Sequence, residues 1–208
     1  LHLSIRRQRQ MCIRDSIGRV KEQNELENRA NQYTSKMEHL WSEGFGAYLN
    51  YRTDADSLSK RVSPTIFYPL LAQAGDKKQK DRILEHYYNP DEFYGEWMLP
   101  STTRNDPLFE HQRYWKGAIW PPLNFLTYLS LRQAGYYDAA TELSEKSLNL
   151  IMTGWKQQGY VSENYSAITG TGDDERLSSD RFHSWGALFG IMAFIEKGFL
   201  PKPETSIQ

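Results

Sequence analysis

The feature that most constrains the fold is an alternation of helical segments along residues 17–200, some almost wholly apolar and others charged or amphipathic. Runs with the two-residue period of β-strands are scarce. An alternation of buried and more polar helices favours an all-α layered barrel, in which an outer ring of helices sheathes an inner ring. A helical solenoid shows the same alternation, but the sequence has no fixed repeat. The predicted helices span 20–41, 64–74, 77–88, 121–134, 137–153 and 182–196.

Cap chemistry and turn residues set the predicted boundaries. Ser63 before Pro64 predicts a capping side chain and a proline in the first helical turn. Gly75 and Gly135 predict two helix ends, and a helix-like segment ends at Gly159. Residues 91–113 read as an irregular stretch, which is long for a loop and therefore suggests a functional one.

The composition excludes several classes of protein. The net charge of −1 argues against a nucleic-acid binder, which would show a basic stripe. The longest apolar run, 187–195, is too short to span a bilayer. Cys12 is the single cysteine, so neither an intrachain disulfide nor a thiolate-rich metal site is expected. No His, Asp and Glu grouping has convincing metal-ligand spacing, and we predict no metal and no cofactor.

The first sixteen residues differ from the rest of the chain. Residues 1–16 are dense in Arg and Gln, lack an amphipathic period and resemble translated adapter sequence that recurs in metagenomic gene predictions. They also lack the apolar centre of a signal peptide. We expect residues 1–16 to be non-native and disordered, 17–200 to form the domain and 201–208 to be a tail. The compartment, cytoplasmic or periplasmic, is left open because the true N-terminus is expected to be absent.

The segment 160–172 carries the strongest chemical signal. It holds one carboxylate, Glu163, among Asn, Tyr, Ser, Thr and Gly residues, a composition that suits a shaped polar loop. The chain is also 13% aromatic, and Trp and Tyr side chains often stack on the apolar faces of sugar rings. A solvated loop glutamate is the competing interpretation. Together the features suggest acid–base chemistry on a carbohydrate.

Three motifs make this signal specific. They are Tyr114-Trp-Lys-Gly-Ala-Ile-Trp-Pro-Pro-Leu-Asn124, Gly159-Tyr-Val-Ser-Glu-Asn-Tyr-Ser-Ala-Ile-Thr-Gly170 and Arg181-Phe-His-Ser-Trp-Gly-Ala-Leu188. In this order they resemble the C-terminal part of glycoside hydrolases related to processing α-glucosidase and mannosylglycerate hydrolase, glycoside hydrolase family 63. The resemblance runs from about residue 41 to 200. It implies an (α/α)6 barrel, of which only the C-terminal half would be present.

The resemblance also implies roles for individual residues. Glu163 would be the general base of an inverting hydrolysis of α-linked glucosyl or mannosyl groups, and the substrate would be an oligosaccharide or a glycosylglycerate. Lys116 stands where the family usually has Arg, so the charge is kept but the bidentate fork is lost. The candidates for substrate binding are Trp115, Lys116, Gly117, Trp120, Asn124, Asn164, Tyr165, His183, Trp185, Tyr68 and Arg104.

The acid partner has no counterpart in this sequence. In the family it is an Asp from the N-terminal half of the barrel, and no segment matches that motif. Asp54 and Asp56 lie in a polar loop, and Asp106 is expected to shape the loop that enters the Trp115 motif. We therefore expect the missing N-terminal half of the same domain to carry the acid, and the chain to be inactive alone. An incomplete barrel would also leave apolar inner-helix faces uncovered, including those around Leu126 and Phe189.

Two other functions remain open from the residues. One is a non-catalytic saccharide-binding domain that keeps the aromatic wall. The other is a lyase in which Tyr165 and His183 perform β-elimination on a uronic acid, although the cationic clamp that this chemistry needs is poorly supplied.

Overall fold

The computed structural model describes residues 18–203, and helices dominate that range. The expectations for residues 1–16 and for the end of the tail therefore lie outside the described residues. The α-helices are α1 (Val20–Met37), α2 (Lys77–Tyr88), α3 (Pro121–Gln133), α4 (Tyr137–Gln158) and α5 (Ala187–Glu196). The 3₁₀ helices are Glu38–Leu40, Pro64–Ala72, Phe109–His111 and Ser184–Gly186.

Two short antiparallel hairpins lie between α1 and the 3₁₀ helix Pro64–Ala72. Strands β1 (Trp41–Ser42) and β2 (Ala47–Tyr48) pair with Trp41 opposite Tyr48. Strands β3 (Tyr51–Arg52) and β4 (Ser57–Leu58) pair with Tyr51 opposite Leu58. The second hairpin is largely exposed and carries Asp54 and Asp56 at its turn.

Helix α2 has the predicted bounds, and α3 and α4 begin at the predicted starts. Helix α4 extends five residues further than predicted, to Gln158, and ends at Gly159, whose φ of 76° is left-handed. Helix α5 begins at Ala187 and not at 182, because Phe182 has a φ of 58° and a 3₁₀ turn follows it.

The segment after Ser63 differs from its prediction. Residues 64–72 form a 3₁₀ helix, and Pro69 inside it has no N–H to donate to an α-helical bond. Ser63 does not cap this helix with its side chain, because its hydroxyl is hydrogen-bonded to the Thr65 hydroxyl at 2.8 Å. The helix ends before Gln73, its C-cap residue, which has a left-handed φ of 55°.

Helix α3 is the centre of the packing, since it contacts the 3₁₀ helix Pro64–Ala72, α4 and α5. Its buried Tyr128 donates a hydrogen bond of 2.6 Å to Glu196 at the end of α5, and Arg132 forms an ion pair with the same carboxylate. Burial of the apolar faces supplies the driving force, and this polar cluster fixes how α5 crosses α3. The expectation of an uncovered Phe189 is wrong, because this side chain of α5 is fully buried against Tyr165.

Candidate active site

Backbone hydrogen bonds bring the three motifs together at one end of the helices. Ile119 and Tyr165 exchange hydrogen bonds of 2.7 and 3.0 Å, which joins the first motif to the second. The Glu163 amide donates to the Asp180 carbonyl at 2.9 Å, which joins the second motif to the segment leading into the third. The Ser101 amide donates to the Ala118 carbonyl at 2.9 Å, which joins the irregular stretch 91–113 to the first motif. These loops therefore form one connected platform.

The loop of Glu163 is held by its own neighbours. The side-chain amide of Asn164 donates from Nδ2 to the Ser178 carbonyl at 3.0 Å. The Tyr165 hydroxyl accepts a hydrogen bond of 3.0 Å from the Ser162 amide. A Cβ on Gly172 would lie 2.0 Å from the Ser162 hydroxyl, so this close approach requires glycine.

The carboxylate of Glu163 is mostly buried, but part of it contacts solvent. Its side chain is 16% exposed, and its Oε1 lies 3.8 Å from Nε2 of His183. Lys116 is exposed and forms no ion pair within residues 18–203. The site thus has a carboxylate that no Lys or Arg neutralises among the described residues.

An aromatic wall extends from His183. The rings of His183 and Trp185 are 5.1 Å apart, and Trp185 meets Trp120 edge to face at 6.1 Å. Trp120 is fully buried and stacks against Trp115, with ring centroids 4.0 Å apart and planes 19° apart. Trp115 and Trp185 are 42% and 43% exposed, so these two rings offer stacking surface and Trp120 supports them.

Several predicted sugar contacts are buried in this structure. Asn124 is fully buried, and its amide accepts from the Leu99 N–H and donates to the Leu99 and Trp120 carbonyls, each at 3.0 Å. Asn164 and Gly117 are also buried. The hydrogen bonds of Asn124 and the bond from the Gly117 amide to the Ser101 hydroxyl at 3.1 Å hold the loops together. Oδ1 of Asn164 is buried without a hydrogen-bond partner among the described residues, so its predicted substrate contact stays a prediction.

Tyr165 is likewise a scaffold residue, which removes the basis of the lyase hypothesis. Its side chain is 1% exposed, its oxygen is engaged by the Ser162 amide, and burial raises its pKa. A phenol in this setting does not abstract a proton from a substrate.

Tyr68 and Arg104 support the irregular stretch and its surroundings. Tyr68 is buried in the 3₁₀ helix Pro64–Ala72, and its burial raises the pKa of its hydroxyl. Arg104 donates from Nε to the Tyr94 carbonyl at 2.9 Å, and its guanidinium lies over the Phe109 ring at 5.4 Å. Burial lowers the pKa of Arg104. Among the described residues, the Tyr68 hydroxyl and Nη2 of Arg104 are buried without a hydrogen-bond partner. The substrate-binding roles of these two residues therefore stay predictions.

Gln112 is a site residue that sequence reasoning missed. It is fully buried, its Oε1 accepts from the Ala167 amide at 2.7 Å, and its Nε2 donates to the Phe109 carbonyl at 2.7 Å. It therefore ties the irregular stretch to the loop of Glu163. The one available signal was its position in the long stretch 91–113.

Within residues 18–203, no group of three or more His, Cys, Asp or Glu side chains is arranged to hold a metal ion. In the same range, none of the helices combines the length and the apolar character needed to cross a bilayer.

The fold and the site define a helical-toroid protein with a loop carboxylate beside an aromatic wall. Residues 14–185 match the family described as the mannosylglycerate hydrolase MGH1-like glycoside hydrolase domain. The chain belongs to this glycoside hydrolase family, as its three motifs indicated. The match begins at residue 14, just inside the segment that was expected to be non-native.

Curated relatives are similar across most of the chain. Mannosyl-oligosaccharide glucosidase of Saccharomyces cerevisiae is 27% identical over 171 residues, covering 71% of this chain and 20% of that protein. Mannosylglycerate hydrolase of Thermus thermophilus is 27% identical over 139 residues, covering 65% of this chain and 31% of that protein. The chain thus spans a fifth to a third of the length of these two relatives.

Solved structures confirm the fold class. The glycoside hydrolase family 63 mannosylglycerate hydrolase from Thermus thermophilus, in complex with glucose, aligns with a TM-score of 0.69 and 24% identity. The alignment covers 82% of this chain and 40% of that one. A structure titled sialidase aligns with a TM-score of 0.73 and 19% identity, covering 94% and 19%. The described helices correspond to part of an (α/α)6 toroid.

Proposed function

We propose that this chain is the base-carrying part of an inverting glycoside hydrolase, with Glu163 as the general base. The observation that carries the proposal is the placement of Glu163, sheltered yet reachable, next to His183, whose ring packs on the Trp115–Trp120–Trp185 wall. In an inverting hydrolysis the base takes a proton from water as that water attacks the anomeric carbon. The wall would hold the sugar ring by stacking while the water approaches from the side of Glu163.

The general acid, in this proposal, comes from outside this chain. An inverting enzyme needs a protonated carboxyl group roughly 6.5–9.5 Å from the base. Asp106 accepts from the Leu108 amide and forms an ion pair with Arg61, which is the predicted loop-shaping role. The hydrogen bond from Arg52 lowers the pKa of Asp54. A lowered pKa favours the ionised carboxylate, which cannot act as a proton donor.

The substrate, in this proposal, carries an α-linked glucosyl or mannosyl group. The names of the relatives support both sugars, because they include a mannosyl-oligosaccharide glucosidase and a mannosylglycerate hydrolase. The catalytic part would span 17–200, with 201–208 as a tail.

The test is the configuration of the first product. The full-length product of the source gene is incubated with α-glucosyl and α-mannosyl oligosaccharides and glycosylglycerates, and the released sugar is followed by proton NMR. An inverting mechanism releases the β-anomer first, before mutarotation. Release of the α-anomer would indicate a retaining mechanism and would contradict a base role for Glu163.

A saccharide-binding module without catalysis is the second candidate, because the aromatic wall lies wholly within this chain. It predicts that sugars quench the fluorescence of Trp115 and Trp185 equally in the wild type and in Glu163→Gln, with no turnover by the full-length protein. The enzyme proposal predicts turnover in the wild type that Glu163→Gln loses.

A further inference from the structure

The backbone beside Glu163 fixes the position of His183. Ser162 pairs with Arg181 in an antiparallel bridge, and the Glu163 amide donates to the Asp180 carbonyl at 2.9 Å. The segment 180–183 therefore runs alongside the loop that carries the carboxylate. This register brings the His183 side chain close to that of Glu163.

Hydrogen bonding then orients the imidazole ring. Nδ1 of His183 accepts a hydrogen bond of 3.3 Å from the Trp185 amide, and the ring packs edge to face on the Trp185 ring at 5.1 Å. An Nδ1 that accepts is unprotonated in the neutral ring, so Nε2 carries the hydrogen. That Nε2 lies 3.8 Å from Oε1 of Glu163, which is a close polar contact but too long for a direct hydrogen bond.

We propose that His183 is a positioning residue for the base: its Nε2–H lies next to Oε1 of Glu163, and this contact shortens to a hydrogen bond when substrate binds, which holds the carboxylate so that Oε2 addresses the attacking water. The inference rests on the proposed role of Glu163 and gives His183 a different role from direct sugar contact. The nearby Arg181 is directed elsewhere, because its guanidinium pairs with Asp173 at 3.7 Å. His183 is therefore the side chain placed to restrain this carboxylate.

Two substitutions separate positioning from simple helix capping. In His183→Asn the short side chain still accepts from the Trp185 amide, since Asn is a good N-cap, but it offers no donor at the position of Nε2. His183→Gln places an amide N–H near the position of Nε2 and caps poorly. We expect His183→Asn to melt like the wild type and to lose about 10- to 100-fold in kcat at nearly unchanged KM, the scale of a carboxylate misplaced by about 1 Å.

We expect His183→Gln to recover part of that kcat despite weaker capping. His39→Asn, at an exposed position remote from the three motifs, is the matched control. If His183→Asn keeps the wild-type kcat under conditions in which Glu163→Gln is inactive, the positioning role is overturned and the proposed function stays intact. Full activity in Glu163→Gln would instead overturn the proposed function itself.

A spectroscopic measurement tests the same inference without turnover. In the 208-residue chain, the ¹⁵N shifts of the His183 ring are expected to show an Nε2–H tautomer with an unprotonated Nδ1, and Glu163→Gln is expected to shift the Nε2–H signal. An Nδ1–H tautomer, or an Nε2–H signal whose chemical shift is the same in the wild type and in Glu163→Gln, would refute the positioning role.

Discussion

At the scale of single residues, Asn124 shows how a side chain suited to binding sugars can serve the scaffold. Its amide satisfies both backbone groups of Leu99 and the carbonyl of Trp120. Asn124→Ala leaves the two backbone groups of Leu99 unpaired, whereas the Trp120 carbonyl keeps the backbone N–H of residue 124. Each unpaired buried group costs about 1–3 kcal/mol. We expect urea unfolding to show a loss of about 2–4 kcal/mol.

The control for this prediction is Asn149→Ala, at an exposed position of α4, which should leave stability nearly unchanged. A stable Asn124→Ala variant with weakened sugar binding would show that Asn124 contacts the ligand after all.

The sequence indicated which residues belong to the site more reliably than it indicated which of them are buried. Glu163, His183 and the tryptophans were all singled out by their motifs, and the structure brings them together. The buried state of Tyr165 and Asn164 was not foreseen, because burial depends on which loops cross at this end of the molecule. Those crossings are made by single backbone pairings such as Ile119 with Tyr165, which leave no periodic pattern.

At the scale of elements, the loop before α3 depends on Gly117. Its φ is 94°, and a Cβ there would lie 2.2 Å from the Phe109 carbonyl oxygen. Gly117→Ala should therefore cost about 1–3 kcal/mol or more in backbone strain and should displace Trp115. Thermal unfolding and tryptophan fluorescence measure both effects.

Gly44→Ala is the matched control, because nothing lies within 4 Å of its added Cβ and its φ is not left-handed. Equal melting temperatures for the two variants would mean that the loop adapts to a side chain at 117.

Another element-scale prediction concerns the C-terminal end of α2. His86 contacts Glu92 at 2.5 Å through Nδ1 and the Phe45 carbonyl at 3.0 Å through Nε2, and both partners are acceptors. Burial by itself would lower the pKa of His86, but the hydrogen bond and charge of Glu92 outweigh it and raise the pKa. Protonated His86 thus joins α2 to the first hairpin and to the irregular stretch.

The sign of the pH effect follows from the raised pKa. The stabilisation is complete below the unfolded-state value of about 6.5 and is lost as the pH rises through the higher folded-state pKa. We expect the free energy of unfolding to fall above about pH 6.5 in the wild type, and His86→Gln to remove that component. His39→Gln, at an exposed position, should retain it. An identical pH dependence in His86→Gln would contradict this account.

The bounds of α2 were predicted correctly, and the structure shows that Asp76 and Gln79 form a capping box at its start. The helix prediction was wrong for 64–72, where Pro69 changes the helix type, and for the start of α5, where a 3₁₀ turn replaces the first α-helical residues. Both errors are local backbone effects that apolar periodicity does not reveal.

At the scale of the whole molecule, apolar side chains remain exposed beside α5. Phe194 and Phe199 form an exposed aromatic pair with rings 6.0 Å apart, and Phe182 is also exposed. Surfaces of this kind promote association, so we predict that residues 17–208 expressed alone self-associate. Light scattering after size-exclusion chromatography tests this, with Phe194→Ser expected to reduce association. A monodisperse monomer that melts cooperatively would contradict it.

The central claim is that Glu163 is the general base, and the most direct measurement is kcat for Glu163→Gln in the full product of the source gene. We predict a loss of about 10²- to 10⁴-fold, with sugar binding retained because the aromatic wall is unchanged. Glu145→Gln, at an exposed position of α4, should keep wild-type kcat. A Glu163→Gln enzyme that turns over like the wild type would contradict the claim.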